Sequence, residues 1–319
     1  MLNKNNNISS LTKQYFAARK PFLKESSYAH YTELAENYID PYVGQFHFET
    51  LDGRATGEYI SKLKTNGRTS GKGGLSDKTI RDVFSLLRSI YYFGAENGLC
   101  SSDIKVPRLV LSRSSKLKSQ VLTNTHLKQL ETFLMDNLNP ENLGIILCLY
   151  TGMRIGEICS LKWSDVDIEN GLVNVNRTVL RIKNTEAKGK EPKTIIVTGA
   201  PKTDSSRRTI PVPKAIGKLL KTEGRQMPGD YFVATCSSKQ MEPRRYYEKY
   251  KQLLKKSGIT ADYTFHALRH TYATRCIEAG IDPKVVSELL GHSSVTITLN
   301  RYVHPTMEMK KRSVERLLR

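Results

Sequence analysis

Between residues 76 and 98 the chain reads SDKTIRDVFSLLRSIYYFGAENG, with Ile80, Val83, Phe84, Leu87, Ile90 and Tyr91 at steps of three and four. That spacing puts the apolar side chains on one face of an α-helix, which Ser76 is placed to cap and Gly98 to end. An earlier stretch, SSYAHYTELAENYIDPYVG, is also amphipathic; it opens on a serine pair suited to capping and is predicted to stop at Pro41 and Gly44. GRTSGKGG, residues 67–74, reads as a flexible basic loop between them. Helices joined by short loops predict a small bundle of about a hundred residues.

The pattern changes further on. SSDIKVPRLVLSRSSKLKSQ, residues 101–120, carries five basic residues against one acid, with serine clusters and a proline. It marks the domain boundary, and its charge suits a linker lying along phosphates. From VLTNTHLKQLETFLMDNL onward, helical periodicity gives way to the β-branched runs GLVNVNRTVLRI, KTIIVTG and RRTIPVP and then returns. The fold class is therefore α+β: mainly α with a small antiparallel sheet. Residues 1–119 form a helical domain with a basic linker at about 101–119, and 120–319 form a second domain ending in a helix.

Composition adds one strong constraint. The 319 residues suffice for two cores, and 39% hydrophobic with 25% charged residues are globular values. The outlier is 50 Lys+Arg against 31 Asp+Glu, a net charge of +19. Such a surplus calls for a polyanion, and nucleic acid ranks first. The basic residues are spread along the chain, which argues against a membrane-surface helix. Five scattered cysteines without CxxC spacing argue against disulfides and zinc. No signal peptide or spanning segment is legible, so a cytoplasmic protein is expected.

Motifs for nucleotide phosphates, zinc proteases and serine hydrolases are missing, and Asp165 with Asp167 reads as a pair of turn formers. No metal or cofactor is called for. The candidate chemistry is cationic instead. Arg154 follows a Thr-Gly turn on the first turn of a helix, with Glu157 three residues on to orient its guanidinium. Lys202 lies in the turn before a strand, on a stem that reaches into a cleft, and either Arg207 or Arg208 close by could be a phosphate contact instead. His266 and Arg269 share one face at a helix start, where free N–H groups favour an anion; His270 points elsewhere and reads as structural or as a backbone contact. Gly291 reads as a helix C-cap that presents His292, and Tyr302 follows ten residues later. Guanidinium and imidazole donors can hold the extra charge of a phosphodiester under attack without a metal. A phenol of pKa near 10 needs such a cationic site to lose its proton. Arg244, Arg245, Tyr246 and Lys249 in PRRYYEKYKQLLKKSG suit a DNA-facing helix.

Four stretches in order, TGMRIGEICSLKWSDVD, PKTDSSRRTIPVP, HALRHTYATRCIEAGID and LGHSSVTITLNRYVH, resemble the tyrosine recombinases, or phage-type integrases. The resemblance is loose over residues 1–119, similar to a SAM-like core-binding domain, and strong from about 120, similar to the catalytic domain. It implies that Arg154 and Arg269 bind the scissile phosphate, Lys202 is the general acid for the 5′-hydroxyl, and His266 assists proton transfer with the tyrosine. His292 would bond a phosphate oxygen, Tyr302 would attack to give a 3′-phosphotyrosine, and Glu157 would buttress the site. It further implies double-stranded DNA with paired sites, a homotetramer whose basic C-terminal TMEMKKRSVERLLR packs on a neighbour, and a directionality factor as accessory partner. Neither ATP nor metal is implied. Residues 1–20 are too short for the arm-binding domain of some relatives. His304 reads as local structure, and Arg301 as a DNA or packing contact. A type IB topoisomerase-like enzyme and a regulator with a dead site remain the alternative readings.

Overall fold

The computed structural model describes residues 6–104, 120–201, 204–303, 311 and 314–315. The linker residues 105–119, Lys202, His304 and most of the C-terminal segment lie outside them. The chain divides into two compact units: Met1–Leu117 with Ile182–Ile195, and Lys118–Arg181 with Ile196–Arg319.

The first unit holds α1 (Ile8–Arg19), α2 (Glu25–Leu34), α3 (Asp40–Val43), α4 (Gly53–Asn66) and α5 (Asp77–Glu96). α5 follows its periodicity: Ser76 Oγ accepts from Thr79 N at 3.2 Å, and all six apolar residues of the predicted face are buried. Ile8, Leu11, Ile39, Phe48, Tyr59 and Leu63 complete that core. Each such residue contributes roughly 1.5–3 kcal/mol relative to exposure. α2 departs from its expected bounds. It begins at Glu25 without a side-chain cap, and the helical run passes Pro41 and ends at Gly44, the second of the two expected stops. A wider, π-type turn over Ala35–Ile39 precedes the proline, where a missing N–H leaves one helical bond unmade, and α3 continues beyond it. The outer residues 182–195 of a hairpin join this unit through the ion pairs Lys20–Glu186 and Lys183–Glu36.

The second unit is built around α7 (Pro140–Thr151), which follows α6 (Asn124–Asp136). Asn139 caps α7 by accepting from Asn142 N at 3.0 Å, Pro140 opens it, and every residue from 142 to 149 is buried. A short α8 (Ile155–Ile158) leads to β1 (Val166–Asp167), β2 (Leu172–Val175), β3 (Thr178–Lys183), β4 (Thr194–Gly199) and β5 (Arg208–Pro211). β1, β2 and β5 form one antiparallel sheet, with Val173 opposite both Val166 and Ile210; β3 pairs with β4 separately. Asp165 accepts from Lys162 N and Asp167 from Asn170 N, each at 3.0 Å, so both tie turns as read.

α9 (Lys214–Gly224), α10 (Pro243–Lys256), α11 (His266–Glu278), α12 (Pro283–Leu290) and α13 (Val295–Tyr302) complete the unit. α10 is amphipathic, but its inward face is Tyr246, Tyr250, Leu253 and Leu254. Tyr246 is therefore not DNA-facing. Its hydroxyl donates to Glu141 O at 2.6 Å, and a Cβ at Gly144 would come within 2.4 Å of it, so glycine permits this close approach to α7. Among the described residues no helix is long and apolar enough to cross a membrane.

Candidate active site

The C-terminus of α12 organises the site. Gly291 has φ +65°, the left-handed cap expected of it, and its N–H bonds Glu288 O while His292 N bonds Ser287 O. The next three carbonyls each receive a different arginine. Arg208 Nε donates to Leu289 O at 2.6 Å, Arg269 Nη2 to Leu290 O at 2.7 Å, and Arg154 Nη2 to Gly291 O at 3.3 Å. Orphan carbonyls and the negative end of a helix dipole thus meet guanidinium donors. Arg269 also donates from Nη1 to Gly152 O at 2.8 Å, at the left-handed end of α7. Arg269 is 2% exposed, and among the described residues its hydrogen bonds go to these two carbonyls and to no carboxylate. A buried cation so held keeps most of its charge for an incoming anion.

Glu157, 3% exposed, is the one acid at the centre of this cluster among the described residues. Its Oε1 accepts from Arg154 Nη1 at 2.7 Å, and its Oε2 from Arg154 N at 2.9 Å. It also receives both terminal nitrogens of Arg208, at 3.2 and 2.9 Å. Burial alone would raise the Glu157 carboxyl; Arg208 and then Arg154 outweigh it and hold the group below its ordinary value. Arg154 sits at the cap position of α8 rather than on its first turn. Arg208 corrects the reading of it as a DNA contact: its side chain is 5% exposed and fully engaged, because β5 and α12 enclose it over Glu157. Nothing in PKTDSSRRTIPVP distinguishes this arginine from exposed Arg207 beside it.

α11 brings the histidines. His266 is exposed at its start, and partial loss of solvent together with Arg269, Arg301 and Arg154 pulls its pKa down to about 4. Burial and then Arg269, Arg154, Arg301 and Arg208 take His292 down to about 3, and its Nδ1 bonds Thr298 Oγ1 at 2.8 Å. Tyr302, the last residue of α13, is 8% exposed and packs with Ala273, Cys276, Val286 and Leu290. Its ring lies parallel to that of His292, with centroids 6.4 Å apart. Its hydroxyl meets His270 Nδ1 at 2.6 Å. His270, read as pointing elsewhere, therefore faces the tyrosine. His266, read as the tyrosine's proton partner, instead sets its ring edge against His270 at 4.5 Å between centroids. The helical step of four from 266 to 270 placed both rings on one side of α11, a signal that adjacency to Arg269 obscured.

Burial raises the Tyr302 phenol, Arg269, Arg301 and Arg154 lower it, and the balance lies above 10. Of the more distant candidates, Arg244, Arg245 and Arg301 are exposed, while Lys249 is half-buried in an ion pair with Glu141. Lys202 lies outside the described residues. The cluster can therefore hold an anion between guanidiniums and offer it a phenol oxygen.

Comparison with known proteins points the same way. The family described as the phage integrase family matches residues 120–309. A XerC-like tyrosine recombinase of Caldanaerobacter subterraneus subsp. tengcongensis is 27% identical over 94% of this chain and 78% of its own. The transposase of transposon Tn916 from Enterococcus faecalis is 31% identical over 77% of this chain and 63% of its own. The Tn1549 transposon integrase, solved with transposon right end DNA, is 23% identical with a TM-score of 0.77, covering 98% of this chain and all of that one.

Proposed function

The chain belongs to the phage integrase family, the tyrosine recombinases, which break and rejoin DNA strands, and from that premise we propose the residue roles that follow. The protein is a site-specific recombinase, the integrase or transposase of a mobile element or phage, a reading favoured by its likeness to the Tn916 transposase. Arg154 and Arg269 bind the non-bridging oxygens of the scissile phosphate, and His292 adds a third donor. Tyr302 Oη attacks phosphorus as its proton passes to a neighbouring imidazole; the P–O5′ bond breaks, the 5′-oxygen takes a proton from Lys202, and a 3′-phosphotyrosine remains. Glu157 and Arg208 position Arg154. The retained phosphoester lets a second 5′-hydroxyl reverse the step, so neither ATP nor a metal is needed.

One observation carries this reading. The Tyr302 phenol lies under the influence of three guanidiniums, Arg269, Arg301 and Arg154, and Glu157 is the carboxylate that ties Arg154 to Arg208. Residues 1–119 serve as the core-binding domain, so that both domains hold double-stranded DNA. Arg207, Arg244, Arg245 and Arg301 are the exposed candidates for its backbone. Ile281, Val285, Val295, Ile297 and Leu299 leave an exposed apolar face on and beside α12 and α13. The amphipathic C-terminal segment of a neighbouring copy would cover it, in a tetramer on two paired sites. A directionality factor would choose between integration and excision, and the enzyme would act on DNA in the cytoplasm.

The test is a nicked suicide substrate. Wild-type protein should form a covalent protein–DNA adduct in the presence of EDTA, and Tyr302→Phe should bind the same DNA and form none. Adduct formation by Tyr302→Phe refutes the assignment. Strand exchange between two matched sites, as opposed to relaxation of plasmids alone, distinguishes a recombinase from a topoisomerase.

A further inference from the structure

We propose that His270 is a catalytic residue of this reaction: its Nδ1 accepts the hydrogen bond of the Tyr302 hydroxyl and takes the phenolic proton as that oxygen attacks phosphorus. This rests on the reading of Tyr302 as nucleophile. Two observations support it. The contact is short, 2.6 Å, and buried, since His270 is 4% exposed and Tyr302 8%. The other groups near the hydroxyl are unsuited to the role. Guanidiniums only donate. Both Glu157 oxygens are taken up by Arg154 and Arg208. His292 has Nδ1 bonded to Thr298 and its other ring nitrogen given to the phosphate as a donor, and among the described residues no hydrogen bond joins His266 to Tyr302.

The surroundings of His270 explain how it can wait. The titratable groups facing it are His266 and Arg269 from α11, Arg301 and Tyr302 from α13, and His292 from the loop before α13. Burial first, and then His266 and the cations, keep the imidazole neutral by taking its pKa down to about 3. Neutral imidazole with Nδ1 as acceptor carries its hydrogen on Nε2. A phosphodiester entering the cradle offsets the arginine charge, and attack adds further negative charge on its oxygens. The proton affinity of His270 therefore rises as the phenol must release its proton. The Oη–P bond forms and P–O5′ breaks; the 5′-oxygen is protonated by Lys202, and His270 holds the tyrosine proton until the reverse step returns it.

The experiment uses single-turnover adduct formation on the nicked substrate. His270→Gln keeps an acceptor without the basicity. At neutral pH it should bind DNA and melt as wild type does, yet cleave about a hundredfold more slowly. Its rate should climb about tenfold per pH unit over roughly pH 6–9 as free phenolate supplies the nucleophile, while the wild-type rate stays flat. A 5′-bridging phosphorothiolate, whose sulfur leaves without a proton, should rescue Lys202→Ala and leave His270→Gln slow. His270→Ala should recover with added imidazole. Cleavage by His270→Gln within about threefold of wild type and with the same pH profile overturns the proposal. Rescue of His270→Gln by the phosphorothiolate, or no recovery of folded His270→Ala with imidazole, also overturns it. An adduct with Tyr302→Phe would refute the nucleophile instead, so the two failures are distinguishable.

Discussion

Glu157 shows how one buried acid can set the geometry of several cations. It joins Arg154 to Arg208, and the structure offers it no water-facing alternative. Removing one partner of a buried pair leaves an uncompensated charge, which costs about 3–5 kcal/mol. Arg208→Met should therefore lower unfolding free energy by about 3 kcal/mol in urea titration and reduce adduct formation, although Arg208 touches no substrate. A loss below about 0.5 kcal/mol would show that Arg154 alone satisfies the acid. The carboxyl is held low, so its contribution is present at neutral pH and fades only as pH drops below the ordinary 4.5. The histidines behave alike in sign. His266, His270 and His292 have folded values of about 4, 3 and 3 against 6.5, so the unfolded chain binds protons first. Stability conferred by the neutral imidazoles is present above pH 6.5 and falls between there and about 4. Thermal melts across that range should show the fall, and His270→Gln should flatten it; an unchanged slope would contradict the burial of His270.

α12 is a short helix whose value lies in its last turn. Sequence alone marks Gly291 as a cap, and the observed φ of +65° agrees. Its role as a platform for three guanidiniums was not legible, because Arg154, Arg208 and Arg269 come from three distant segments. A Cβ at Gly291 would meet Ser205 O at 2.9 Å and Arg208 Cδ at 3.1 Å, in a conformation that L-residues adopt at a cost of roughly 1–2 kcal/mol. Gly291→Ala should lower stability by at least that much, and cleavage more steeply than binding, since the carbonyls that aim Arg269 and Arg154 shift. Melting temperature and single-turnover cleavage measured together check this; a stability loss with normal cleavage would show the platform to be merely structural. α10 teaches the converse. Its basic residues were visible, but the step from Tyr246 to Tyr250 turns the aromatics inward, and Lys249 is spent on Glu141.

Over the whole molecule, the surplus of 19 positive charges suits a polyanion, and the apolar face beside α13 suits a protein. On the proposed reading the two surfaces serve different steps. Ile297→Lys should leave adduct formation on a single half-site near wild type and abolish exchange between two full sites, as read by the recombinant product on a gel. Full exchange by Ile297→Lys would remove that face from the assembly. The mainly helical fold with a small antiparallel sheet was readable because α5, α10 and α12 keep helical spacing and the strands are β-branched. Local chemistry sufficed there.

Periodicity, caps and residue type needed only neighbours in the chain, so the sequence was enough to assign the fold class, the family resemblance and the cation-rich candidate set. The partners of each candidate depended on contacts across more than a hundred residues, such as Arg154 with Gly291 and Arg269 with Gly152. Folding therefore decided that Arg208 faces inward to Glu157 and that the Tyr302 hydroxyl pairs with His270, not His266. A side chain's type states what it can do; burial and the groups around it determine which of those things it does.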